Sequence, residues 1–336
     1  MRGLRRVAIA AVIMTYLLIF IGGLVRVSGA GLGCPDWPKC FGEWAPPTTP
    51  AGLQQALEKH PERDELLARS PDARRIHVNA TQTDVVFAWI EYINRLFGVV
   101  VGFLILATTA GAVMYARRRP WILWPAIATL LLVLFQGWLG ALVVASNLEP
   151  LMVSLHLILA LVIIGLQLWI AQQIHYEVHP EAEAQARYPE GLSTWLQWLL
   201  AGFGVQVLLG TLLRGAHDLF KVADLLGVNP EQTLWHALDK PAGFLHQILG
   251  IVVAGGAVHV GMKIVKRGKR ISDLALTTSW AFFILAALQI LIGHALVFFG
   301  RLPILQVFHL WSSAILFGAL LLQWLGLRRN RELTHG

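Results

Sequence analysis

Apolar runs long enough to cross a bilayer recur eight times along this chain, at about residues 7–27, 85–115, 121–145, 150–174, 194–214, 241–265, 275–299 and 303–327. A span needs about 20 predominantly apolar residues, because the hydrocarbon core is about 30 Å thick and a helix rises about 1.5 Å per residue. No water is available there to satisfy an open backbone, so runs of this length must be helical. Composition agrees: of 336 residues 56% are hydrophobic and 14% charged, against about 25% charged in a soluble domain. The expected fold class is an all-α integral membrane protein with eight transmembrane helices.

A net charge of +7 would suit a nucleic-acid partner, but its placement argues for topology instead. Arg2, Arg5 and Arg6 precede the first run, and Arg117, Arg118 and Arg119 follow the second. Lys263, Lys266, Arg267, Lys269 and Arg270 follow the sixth, and Arg328, Arg329 and Arg331 follow the eighth. With eight spans these clusters share one side, which the positive-inside rule makes cytoplasmic, together with both termini. No nucleic acid is expected, and the lipid bilayer is the large partner. The first run is expected to stay as a span rather than be cleaved as a signal. No Arg/Ser-rich amphipathic segment precedes it, which favours a bacterial cytoplasmic (inner) membrane over an organelle.

The spans carry an internal repeat. Pro150-Leu-Met-Val-Ser-Leu-His156 has a twin in Pro303-Ile-Leu-Gln-Val-Phe-His309. Proline suits the first helical position, where its missing N–H would be unpaired anyway, so each His falls about two turns inside a span. Asn94 and His246 lie 152 residues apart, Gln136 and Gln289 153, and His156 and His309 153. The end of the first span, Gly23-Leu-Val-Arg26, is echoed by Leu209-Gly-Thr-Leu-Leu-Arg214. A nearly constant offset marks a true repeat, and four spans per copy make both copies enter the membrane the same way. The expected architecture is two tandem four-helix bundles in a parallel 4+4 pseudo-twofold arrangement. Residues 1–174 form the first half with an outer loop at 28–84, 175–193 a cytoplasmic linker, 194–327 the second half and 328–336 a cytoplasmic tail.

The outer loop begins Gly31-Leu-Gly-Cys34-Pro-Asp-Trp-Pro-Lys-Cys40 and contains both cysteines of the chain. Outside a bacterial membrane the milieu is oxidising, so a structural disulfide is expected; a redox-active pair is the competing role. Ala51–Arg69 has the make-up of a surface helix, and His60 and His77 read as solvated loop residues. The second span places Glu91, Asn94 and Arg95 within about one turn. Glu91 and Arg95, four apart, can pair, and an intramembrane carboxylate points to function. Gly98 and Gly102 form a GxxxG pattern suited to close helix approach.

His246 and His309 come from two helices of one bundle, and bundles build cofactor sites from facing helices. Two neutral imidazoles facing each other suit axial ligation of heme iron. Zinc would want four ligands, which the surroundings do not supply. Two histidines that only pack, or a proton relay, would also place imidazoles here. In the first half the matching pair is Asn94 and His156, with Glu91 a turn away. One ligand rather than two leaves a side open, so the second half is expected to hold a fixed heme and the first half the reacting molecule.

Gly22-Gly-Leu-Val-Arg26, the loop Gly31 to Cys40, Glu91-Tyr-Ile-Asn94-Arg95 and the histidines at 156, 246 and 309 resemble the heme A synthase family over nearly the whole chain. The resemblance implies an oxidoreductase that converts a ring methyl of heme O to the formyl group of heme A for heme–copper terminal oxidases. It implies heme b as cofactor on His246 and His309, and substrate heme in the first half near Glu91, Arg95, Asn94 and His156. Cys34 and Cys40 match the family's outer-loop pair. Heme O synthase and a terminal oxidase assembly are the implied partners. One departure matters: the family reads Glu-x-x-His-Arg where this chain has Asn94. Either His156 alone holds the substrate, or His77 or water completes the site, or turnover is impaired. A membrane b-type cytochrome that only transfers electrons, and a parallel-repeat transporter, are the competing functions.

Overall fold

The computed structural model describes residues 1–225, 234–267, 271–300 and 302–335. Lys269 and Arg270, part of the basic cluster after the sixth run, lie outside the described residues. Among these residues the regular structure is helical apart from one isolated bridge between Cys40 and Glu43. Eight helices are long and apolar enough to span a membrane. They are α1 (Arg2–Ser28), α5 (Gln82–Met114), α6 (Pro120–Ala145), α7 (Pro150–Val178), α8 (Leu192–Leu225), α9 (Leu234–Val265), α10 (Asp273–Phe298) and α11 (Pro303–His335). Three short helices lie in the loop between α1 and α5: α2 (Pro50–Glu58), α3 (Arg63–Arg69) and α4 (Pro71–Asn79). Large apolar side chains such as Leu131, Leu134, Trp198 and Leu291 stay exposed on the outer faces of the long helices. Water would penalise such faces and lipid does not. This is a multi-pass membrane protein.

Prolines 120, 150 and 303 open α6, α7 and α11, as the first-position preference dictates. Pro241 behaves differently: α9 begins at Leu234 and carries it inside the helix, so the sixth helix is longer than its apolar run. The surface helix expected over Ala51–Arg69 is two helices. Pro61 disfavours a helical conformation at the residue before it, and the chain breaks there with His60 turned inward and only 8% exposed. The Gly98–Gly102 pattern makes no close contact, since a Cβ at either position would meet nothing within 4 Å. Close approach occurs at Gly23, where a Cβ would lie 3.2 Å from Val307, and at Gly33, where it would overlap the Phe87 carbonyl.

In the first half α1 packs on α5 and α7, and α6 fills in between α5 and α7; in the second, α8, α9, α10 and α11 pack in sequence and α11 returns to α8. The halves meet along α11, which packs on α1 and α7 as well as α8. Phe20 of α1 sits 5.6 Å from Phe308 and 5.2 Å from Trp311, ring centre to ring centre, and the Trp311 indole donates to the Tyr16 carbonyl at 3.0 Å.

The N-terminal basic cluster and the one after α5 meet at the end of α7. Arg5 donates to His179 at the end of α7, the terminal amine to Tyr115 after α5, and Arg119 pairs with Glu177. Asn330, late in α11, donates to the carbonyls of Glu183 and Ala186 between α7 and α8. In that same connection Tyr188 donates to Glu183 at 2.5 Å, and burial pushes its phenol well above the ordinary range.

Candidate functional site

The loop after α1 is built around one carboxylate. Asp36 accepts from the N–H group of Phe41 on Oδ1 (2.6 Å) and from that of Gly42 on Oδ2 (2.8 Å), and the same Oδ2 meets His60 Nε2 at 3.3 Å. Both Phe41 and Gly42 have positive φ, so the turn is strained for any residue but glycine at 42, where the His60 ring presses close. Cys34 and Cys40 are bonded to each other and fully buried with Phe41, Leu53, Leu57 and Leu66 in a small core of the loop's own. Ser70 caps α4, and Thr81 and Asp84 form a capping box at the start of α5. Asp84 also takes a two-pronged contact from Arg75, whose guanidinium it holds above the ordinary range.

Arg95 fastens this loop to α5. Its guanidinium donates to the carbonyls of Asp36 (2.7 Å), Lys39 (2.8 Å) and Cys34 (3.3 Å), and its Nε donates to Glu91 at 3.1 Å. The expected Glu91–Arg95 pair is therefore present and nearly buried on both sides. Gly33 makes the docking possible, because any side chain there would collide with α5. His77 stands on α4 with its ring 3.5 Å from Glu58, half-exposed.

Deeper in the spans, four positions carry the repeat. His246 and His309 face each other with ring centres 6.3 Å apart and planes inclined by 62°. The rings of His156, His246 and His309 are part-buried, and in each the Nδ1 atom is buried with no hydrogen-bond partner. Asn94 presents an equally unpartnered Oδ1. An unmet buried polar atom costs about 1–3 kcal/mol, so four of them at repeat-related positions mark a place made for something else. No group of three or more His, Cys, Asp or Glu suited to a bare metal ion occurs among the described residues.

Each histidine is met by the membrane helix that precedes it. The Gln136 amide on α6 donates to the His156 carbonyl at 2.9 Å, Gln206 on α8 to the His246 carbonyl at 2.8 Å, and Gln289 on α10 to the His309 carbonyl at 2.9 Å. One turn on from each glutamine stands a glycine. A Cβ at Gly140, Gly210 or Gly293 would lie 3.4, 3.2 or 3.5 Å from the Cε1 of its histidine. In the sequence Gln136 and Gln289 stand out as echoes of each other and Gly210 falls in the echo of the first span's end, whereas Gln206 passes unnoticed; the signal available is the spacing Gln-x-x-x-Gly three times over.

The family model described as COX15-CtaA, cytochrome oxidase assembly protein, matches residues 5–321. A heme A synthase of Sphingopyxis alaskensis is 26% identical over 91% of this chain and 87% of its own length. One of Cereibacter sphaeroides is 28% identical over 75% of this chain and 70% of its own. One of Shewanella oneidensis is 32% identical, with the match spanning 44% of this chain and 38% of that protein.

Proposed function

The chain belongs to the COX15-CtaA family of cytochrome oxidase assembly proteins, and from that premise we propose that it works as a heme A synthase, oxidising the ring methyl of heme O to the formyl group of heme A. The observation that carries this is the contrast at repeat-related positions: a facing pair of histidines in the second half, and Asn94 with His156 in the first.

The second-half pair fits a heme iron. A metal lies about 2 Å from an imidazole nitrogen, and each ring centre lies about 1 Å further out, so two imidazoles on one iron stand roughly 6 Å apart, centre to centre. His246 and His309 stand at 6.3 Å. They are the residues that would hold heme b, which would supply one-electron chemistry there.

In the first half His156 binds the iron of the substrate heme, and Asn94 leaves the other face without a strong protein ligand. Turning a methyl into a formyl group is a four-electron oxidation that also adds one oxygen atom: with water as its source, R–CH3 + H2O gives R–CHO with four protons and four electrons, the electrons passing to an external acceptor. Glu91 is the carboxylate that takes up protons there, and Arg95 holds it in place against the outer loop. The Cys34–Cys40 bond and the Asp36 turn keep that loop seated, a structural role.

In this reading residues 1–174 and 194–327 are tandem four-helix bundles about a pseudo-twofold axis along the membrane normal. The linker and both termini are cytoplasmic, and the loop 28–84 lies outside the inner membrane. Heme O synthase and a terminal oxidase assembly are the partners on either side of the reaction.

Acid–acetone extraction of heme from purified protein, with identification by mass, tests the proposal. Heme b together with heme O or heme A is the expected result. Heme b alone would reduce the protein to an electron carrier, and no heme at all would remove the proposal.

A further inference from the structure

We propose that Gln136, Gln206 and Gln289 are positioning residues which, each with the glycine one turn on, set an imidazole for iron ligation, and that the fourth such position, Leu18 with Asn94, lacks ligand and support together. The inference rests on the heme-binding proposal above and goes beyond it by assigning residues that do not touch iron.

Residues four apart on a helix share a face, so one helix offers its neighbour an amide and, a turn away, a gap. The amide reaches a main-chain carbonyl, which has a second lone pair to spare after its own helical bond. That contact fixes the height of the histidine along the neighbouring helix. The gap lets the imidazole edge lie against the backbone of the supporting helix at Gly140, Gly210 and Gly293, which limits where the ring can turn. Height and ring plane are what a ligand must have settled before the iron arrives. Three independent helix pairs, α6 with α7, α8 with α9 and α10 with α11, repeat the arrangement with amide distances between 2.8 and 2.9 Å.

The fourth pair, α1 with α5, differs at both members. Gly22 is retained, and a Cβ there would have Asn94 Oδ1 as its nearest neighbour at 3.9 Å. A turn earlier stands Leu18, which has nothing to donate. Its absence of reach is visible from the other side. Gly250, one turn beyond His246, accommodates the Gln206 amide 3.0 Å from where its Cβ would be, whereas the corresponding Gly98, one turn beyond Asn94, faces open space. The Asn94 position of the first half therefore lacks both a ligand and the means of holding one, while His156 keeps its glutamine and glycine.

The test uses full-length protein and measures heme-to-protein ratio, the rate of heme loss to apomyoglobin, and the low-spin heme signal by electron paramagnetic resonance. Gln206→Leu and Gln289→Leu should each release heme about tenfold faster and shift the low-spin signal. Gln323→Leu is the control, since it removes a buried interhelical bond to Thr278 far from any proposed ligand; it should leave the signal unchanged. If Gln206→Leu and Gln289→Leu match the parent, or if Gln323→Leu shifts the signal as they do, the glutamines are packing residues and the inference falls. A parent without heme b would take the functional proposal down with it. A constructive variant completes the test: Leu18→Gln with Asn94→His should add a second bis-imidazole signal that Asn94→His alone lacks. Equal signals in the single and double variants would overturn the role given to position 18.

Discussion

His246 and His309 in the second half and Asn94 and His156 in the first occupy corresponding places in packed helices of the same order, yet offer different chemistry. Two imidazoles can saturate an iron; one imidazole and an amide cannot. Among the described residues the first half adds what the second lacks, a buried carboxylate, Glu91, clamped by Arg95 to an outer loop with its own small core. On the proposed function, duplicated architecture separates holding from reacting. A fixed cofactor calls for two strong ligands and rigid support, while a molecule that must enter and leave calls for a weaker grip and an acid–base group.

Substitutions can break that comparison. The largest effect is expected from His246→Ala or His309→Ala, which should strip heme b almost completely, read as loss of the heme-to-protein ratio; His156→Ala should leave that heme in place and abolish heme A formation. Glu91→Gln should lower heme A formation by about 10²-fold, the usual scale for losing a proton-transfer group, with heme b content unchanged. Replacing Cys34 and Cys40 together by Ser should destabilise the outer loop by about 2 kcal/mol, the loop-closure value for so short a ring, seen as faster proteolysis between α1 and α5. Arg95→Lys keeps a charge but cannot reach Glu91 and three carbonyls at once, so activity should fall about tenfold. The smallest change sharpens the comparison: Leu18→Gln with Asn94→His should make the first half resemble the second, slowing product release a few-fold in single-turnover assays, whereas Asn94→His alone should not.

Much of this could be seen in the chain before folding. Proline followed six residues later by histidine located α7 and α11 and the depth of His156 and His309 in them, because proline acts locally and helical rise is constant. The repeat offset carried the pairing of His246 with His309. What escaped was contact with main-chain atoms. Gln206 reaches a carbonyl, and any residue has one, so nothing in the partner's identity advertises the bond. Asp36 escaped for the same reason, since its ligands are the N–H groups of Phe41 and Gly42. The Gly98–Gly102 pattern misled because small residues permit close approach without compelling it; a neighbour must also present something that reaches in.

The contact of Phe20 with Phe308 and Trp311 has a consequence in time. Phe20 and Phe308 are 288 positions apart, and a ribosome adds about 5–20 residues per second. Helix α1 therefore waits on the order of 15–60 s for α11 to cover its aromatic face. Until then the first half is a client without a finished surface, and a chain stopped before α11 would leave it permanently so.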